Sequence, residues 1–310
     1  KIASGAVTTP KIADDAVTAA KISNNQDFTI NGVTVGKGTN SVSGNTVLGE
    51  NALDAAVSGG NNTAIGKNTL GNLTSGTNNT AVGIASLASV TSGNDNTGLG
   101  KAVLNANTGS RNTGIGYQAL IANTTANDNT AVGSSALTTN TTGNYNVAVG
   151  RNSLRLNTTG ANNTSVGTFA LDKNTTANNN TALGYAALNE NTTGDRNVAV
   201  GTSALTTNST GNLSTAVGFE ALKLSTGGLA TAVGAFAADA HTTGAYTTAI
   251  GYAALGAITT GTANTGVGHQ AGASVTTASH STAVGYNALV NSTGASNTAI
   301  GSRSLDSNTT

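Results

Sequence analysis

The chain is predicted to be all-β, a parallel β-solenoid or β-roll of about sixteen 17-residue rungs. Three observations in its 310 residues lead there: a strict internal period, a strand-like tripeptide once per period, and a composition with too few bulky side chains for a deep core. The period is seen by aligning on the Gly of "NTAVG". It falls at Gly49, Gly66, Gly83, Gly100, Gly116, Gly133, Gly150, Gly167, Gly184, Gly201, Gly218, Gly234, Gly251, Gly268, Gly285 and Gly301. Twelve of the fifteen spacings are 17 residues and three are 16.

Each column of the repeat has a physical reading. The residue before the anchor Gly is Val, Ile or Leu in all sixteen copies. The residue three before it is Thr in fourteen copies and Val at Val147 and Val198, and the position between is nearly always Ala, Gly or Ser. Large, small, large with β-branched residues at the ends is one short strand per rung. Leu stands four residues after the anchor in fourteen copies, with Ala238 and Gly272 as exceptions. It is expected to meet the Val/Ile column inside the coil, giving two aliphatic residues per rung as the core. A further Gly stands seven residues before the anchor in twelve of fifteen copies, replaced by Ala126, Ala177 and Ala278. With the preceding Asn-Thr-Thr it reads as a turn in which Gly supplies positive φ. The three shorter repeats lose their residue between the Leu and this turn, which spares the strand.

One such unit cannot offset its own ordering entropy, about 1 to 2 kcal/mol per residue for the backbone. Stacked copies pair along the axis at about 4.8 Å per rung, so fifteen steps span roughly 70 Å. The Asn that opens the motif, present in twelve of sixteen copies including Asn45, Asn62 and Asn297, is expected to stack into a ladder of side-chain amides at one corner. The small residues of the strand would let neighbouring rods approach closely.

Composition narrows the function. Thirteen basic and thirteen acidic residues leave no electrostatic footprint for nucleic acid or an anionic membrane. A single Pro and many β-branched residues argue against disorder. Without Cys there is no disulfide or thiol chemistry, and no apolar run approaches the length of a membrane span. The chain begins at Lys1 without Met and stops at "DSNTT" partway through a repeat, so both ends read as cuts.

The phrase "NTAVG" followed by "YxAL" and "NTTG" resembles the head repeats of trimeric autotransporter adhesins and, more closely, repeats in tail fibres of bacteriophages, particularly cyanobacterial phages. Residues 1–27 hold a ten-residue repeat, "KIASGAVTTP", "KIADDAVTAA" and "KI", similar to the linkers of phage fibres. The entry segment 28–44 opens with "FTINGVTVGKG", similar to the stretch that precedes such arrays, and 45–310 is the array itself. The resemblance implies a homotrimeric fibre shaft or head, located in the virion tail fibre, that contacts other tail or baseplate proteins and projects a receptor-binding tip. The autotransporter unit is usually shorter than this one, which leaves the cross-section of the coil open.

No catalytic, cofactor-binding or metal site is expected. His241, His269 and His280 occupy different columns and read as surface residues. Gly66-Lys67 and Gly100-Lys101 lack the continuation of a phosphate loop, and no acidic pair recurs in one place. The candidate ligand-binding residues lie in the position after the anchor: Tyr117, Tyr185, Phe219, Tyr252 and Tyr286. Aromatics on a small polar surface could stack on the sugar rings of a host-surface glycan, or fill a seam between subunits. Two other functions compete with the phage fibre. One is the head of a bacterial surface adhesin. The other is an ice-binding solenoid, weakened by having one Thr per rung on the strand where a Thr-x-Thr pair would be expected.

Overall fold

A computed structural model describes residues 27–307; the ten-residue repeat of 1–27 lies, apart from its last residue, outside the described residues. Among these there are eighteen strands and a single 3-10 turn, Thr39–Ser41. The strands β1 (Phe28–Ile30) and β2 (Val33–Gly36) form an antiparallel hairpin. The Asp27 carboxylate holds its far end by accepting from Lys37 N at 2.6 Å and Gly38 N at 2.8 Å. From β3 (Thr46–Gly49) to β18 (Thr298–Ile300), one strand per rung follows in order. β2 covers the edge of β3 antiparallel, with Val35 opposite Leu48, and every later neighbour is parallel and in register.

The result is a parallel β-solenoid of about fifteen turns. Only three residues per rung form strand, yet the rest of the rung also bonds along the axis. Gly133 N donates to Ile115 O at 2.7 Å, Ser135 N to Tyr117 O at 2.9 Å and Leu137 N to Ser153 O at 3.1 Å. Those bonds satisfy the backbone of turns that have no helix or hairpin partner of their own.

The interior reverses one expectation. In β8 (Thr130–Val132), Ala131 is the buried residue and Thr130 and Val132 stand on the outer side, half-buried. The same order holds along the array, and Leu99, Leu183 and Ile250 of the Val/Ile column are 47%, 47% and 40% exposed. The core is therefore the strand Ala, a second small residue such as Ala136, and the Leu, here Leu137, each fully buried. A coil that closes in 17 residues has room for only a methyl group on the strand side once Leu crosses it from the opposite wall. A Cβ added at Gly114, in the strand, would lie 2.5 Å from Val103 Cγ1 and 3.3 Å from Leu104 Cγ. The expected approach of rods through their Ala and Gly faces is accordingly not available, because that face is inside.

Leu reaches the core from a left-handed backbone, with φ 50° at Leu137 and 48° to 53° at the other Leu residues of this column. The conformation costs about 1 to 2 kcal/mol, and full burial of a Leu side chain gives about 1.5 to 3 kcal/mol. Burial outweighs strain by a narrow margin.

The glycines also exchange roles. The anchor Gly, not the turn Gly, has positive φ: Gly150 sits at 129°, and an added Cβ would lie 2.7 Å from the Gly167 backbone one rung on. No Gly of the turn column is in the left-handed region. There the constraint is packing against the next rung, since a Cβ added at Gly160 would run into Ala177 O, and it is the ordinary φ of this column that admits Ala126, Ala177 and Ala278.

Candidate functional surface

The interior is polar along two lines. The motif Asn is buried, and its amide spans three rungs. Asn163 Nδ2 donates to Asn146 Oδ1 at 3.2 Å and to Ala177 O at 2.8 Å, while its Oδ1 accepts from Asn180 N at 3.0 Å. This is the expected ladder, and it lies inside the coil. A second ladder, not anticipated, is built by the first Asn of "NTTG". Asn123, Asn140, Asn157, Asn174 and Asn191 each donate to the preceding Asn Oδ1 at 2.6 to 3.0 Å, beginning from Asn107. Its sequence signal is the recurrence of Asn with the period, which beside Thr-Thr-Gly reads as part of a turn.

That second line ends in Ser225 and His241. His241 is fully buried, which corrects its reading as a surface residue. Its Nδ1 is 3.0 Å from Ser225 Oγ, and its Nε2 has no hydrogen-bond partner. Burial pushes its pKa below the ordinary histidine value, partly offset by the Gly244 backbone. His269 and His280 are on the outside. Among the described residues no group of three or more His, Asp or Glu side chains is placed to hold a metal ion.

Among the described residues four ion pairs tie one rung to the next, at Lys67–Glu50, Arg111–Asp128, Arg155–Asp172 and Lys173–Glu190. Arg111 grips Asp128 with Nε at 2.7 Å and Nη2 at 2.9 Å, and this holds the Asp128 carboxyl below the usual range. Arg155 meets Asp172 at 2.8 Å and Lys67 meets Glu50 at 2.9 Å.

The five candidate aromatics are all on the surface, between 46% and 55% exposed. They do not form one continuous patch. Tyr117 stands away from the other rings, and Tyr185 packs edge-on against Phe169 at 6.2 Å, with Arg151 5.6 Å over the Phe169 ring. Phe219, Tyr252 and Tyr286 belong to an unbroken run. Phe219 meets Phe236 at 5.2 Å, Phe236 meets Tyr252 at 5.9 Å, and Tyr252, His269 and Tyr286 stack at 5.2 and 5.3 Å. Arg303 lies 6.0 Å over the Tyr286 ring. In the stacked part the ring faces meet each other along the axis, so an approaching ligand encounters edges and hydroxyls. Phe169 and Phe236, which connect these rings, occupy the next column at φ 60° and 57°, where an aromatic is not expected from sequence.

No protein-family profile, curated protein or solved structure matches the chain.

Proposed function

We propose that the chain is a segment of a structural fibre, in the manner of a phage tail fibre shaft, built as a homotrimer and serving to hold a receptor-binding tip away from the particle. The observation that supports this most is uniformity. Sixteen strands stack in one register over roughly 70 Å, the interior repeats rung after rung, and sequence variation is directed to exterior columns. Such a body supplies length and stiffness, since each rung contacts only its neighbours and adds a fixed increment of height. A bacterial surface adhesin would use the same rod.

Sedimentation velocity with negative-stain electron microscopy tests the reading. Three chains in an unbranched rod at least about 70 Å long are expected. A globular particle would refute it.

One feature favours a second reading. The outward Thr residues form an in-register rank, as at Thr164 beside Thr181, and a regular array of hydroxyls and methyls could order water at an ice surface. Measurable thermal hysteresis would favour that reading over the fibre.

A further inference from the structure

The outer face of the sheet is bare. All-parallel sheets of α/β proteins are covered on both faces by their crossover helices, and a strand apolar on both sides is the mark of that double burial. Here the inner face is covered by the coil's own Leu wall. The outer face presents a continuous line of aliphatics from Leu48 to Ile300, of which Leu48, Leu99, Leu183, Val233, Ile250 and Ile300 are exposed and the other ten half-buried. Beside it runs the line of Thr, broken only by Val147 and Val198.

No strand from β3 to β18 contains a charged residue. The ion pairs Lys67–Glu50, Arg111–Asp128, Arg155–Asp172 and Lys173–Glu190 all lie in turn columns. A surface meant for water would be expected to carry some of that charge, as the turns do. The outer face is instead a stripe roughly 70 Å long and about 10 Å wide with the two columns included. Covering it on two molecules removes on the order of 1,400 Å² of surface, within the range of a stable protein interface.

We infer that this face, the Thr column together with the Val/Ile/Leu column of β3 to β18, is where copies of this chain pack against one another. The occupant is a second copy because its own face has the same dimensions, lacks charge and carries β-branched side chains at the same rung height. Parallel copies set rung against rung along the whole length. The aromatic run from Phe219 to Tyr286 begins one glycine beyond the aliphatic column, so it borders this seam in the C-terminal third. The inference rests on the fibre reading for the number of copies, three, and not for the location of the contact.

The test uses the full chain, followed by sedimentation velocity and circular dichroism. Val132→Lys with Val200→Lys places two charges on the face four rungs apart, on side chains that do not enter the core. Thr142→Lys, exposed on the NTTG corner, is the control. The expected result is an oligomer for the parent and for Thr142→Lys, and a threefold lower mass with an unchanged β spectrum for the double variant. A parent that is monomeric, or a double variant that keeps the parent mass, overturns the inference. Thermal hysteresis by a monomeric parent would assign the face to ice and overturn it equally. If the Lys variant does not fold, Val200→Cys supplies a single thiol in a chain with no other cysteine. Cross-linking of chains by a short bis-maleimide supports the contact, and a thiol that reacts freely in the oligomer without cross-linking refutes it. The fibre reading fails separately, if an oligomer sensitive to these charges forms a globular particle.

Discussion

Asn163→Ala is expected to destabilise the solenoid by about 3 to 4 kcal/mol, an unusually large effect for a polar side chain. The magnitude follows from which groups lose their partners. Asn180 N–H loses its acceptor, Asn163 Oδ1 at 3.0 Å, and stays buried with none. An orphaned buried donor costs about 1 to 3 kcal/mol, and each lost hydrogen bond about 0.5 to 1.5 kcal/mol. Two donated bonds vanish, to Asn146 Oδ1 and Ala177 O, although neither acceptor is left empty. Asn146 Oδ1 still receives Asn163 N, and Ala177 O still receives Asn174 Nδ2 at 3.1 Å. Asn163→Ser provides the internal comparison, because Ser already stands in this column at Ser214 and Ser281. Its hydroxyl accepts from the next rung at 3.4 Å and 3.3 Å, longer than the 3.0 Å of the Asn bond. The Ser variant should lose about half as much. Urea denaturation at fixed chain concentration gives the energies, and hydrogen exchange reports the Asn180 amide directly. If Asn163→Ala lies within about 0.5 kcal/mol of the parent, or if Ser and Ala are equivalent, the ladder does not carry the energy assigned to it.

The two glycine columns should separate under the same substitution. Gly150→Ala meets both a φ of 129° and the Gly167 backbone, and should cost at least about 3 kcal/mol. Gly160→Ala keeps an ordinary φ but brings its Cβ against Ala177 O and Asn157 Oδ1, so it should cost about 1 to 3 kcal/mol by thermal melting, less than Gly150→Ala. His241 should make the rod sensitive to acid. Its folded pKa is lowered, so its contribution is complete above the unfolded value near 6.5 and is lost as pH falls below that. The melting temperature should fall between pH 7 and pH 5, and His241→Asn, which continues the column of Asn208, should remove that part of the fall. Leu188→Ala should cost about 2 to 5 kcal/mol, read as lost hydrogen-exchange protection centred on its own and the adjoining rungs.

The period, the strand and the motif Asn ladder are legible because each is a local pattern with one physical reading. Which side of the strand faces inward is not given by hydrophobicity, which ranks Val above Ala. The better signal was restriction. The position of Ala131 admits only Ala, Gly or Ser in fifteen of sixteen copies, Val47 in the first rung being the exception, whereas Val, Ile and Leu exchange freely at the position of Val132. A column limited in size is bounded by walls, and one that varies in size is open on a side. The left-handed Leu was hidden for a different reason. Sequence signals for positive φ are Gly and Asn, and here a branched aliphatic takes that conformation because burial outweighs the strain.

The ladders also explain how the coil keeps its register. A core of Ala and Leu alone is nearly indifferent to small slips of one rung on another, since one methyl packs much like the next. Buried amides are not indifferent, because a slip leaves several donors and acceptors unpaired at once. The shorter repeats bear this out. Between Gly100 and Gly116 one residue is absent, yet Asn112 N still donates to Asn96 Oδ1 at 3.0 Å and Thr97 still pairs with Thr113. The missing residue comes from the corner between Asn107 and Gly109, where Asn123 and Ala126 are separated by one more. Rung length is thus free to vary at a surface turn, while the buried amides and the strand hold the alignment that a long, straight rod requires.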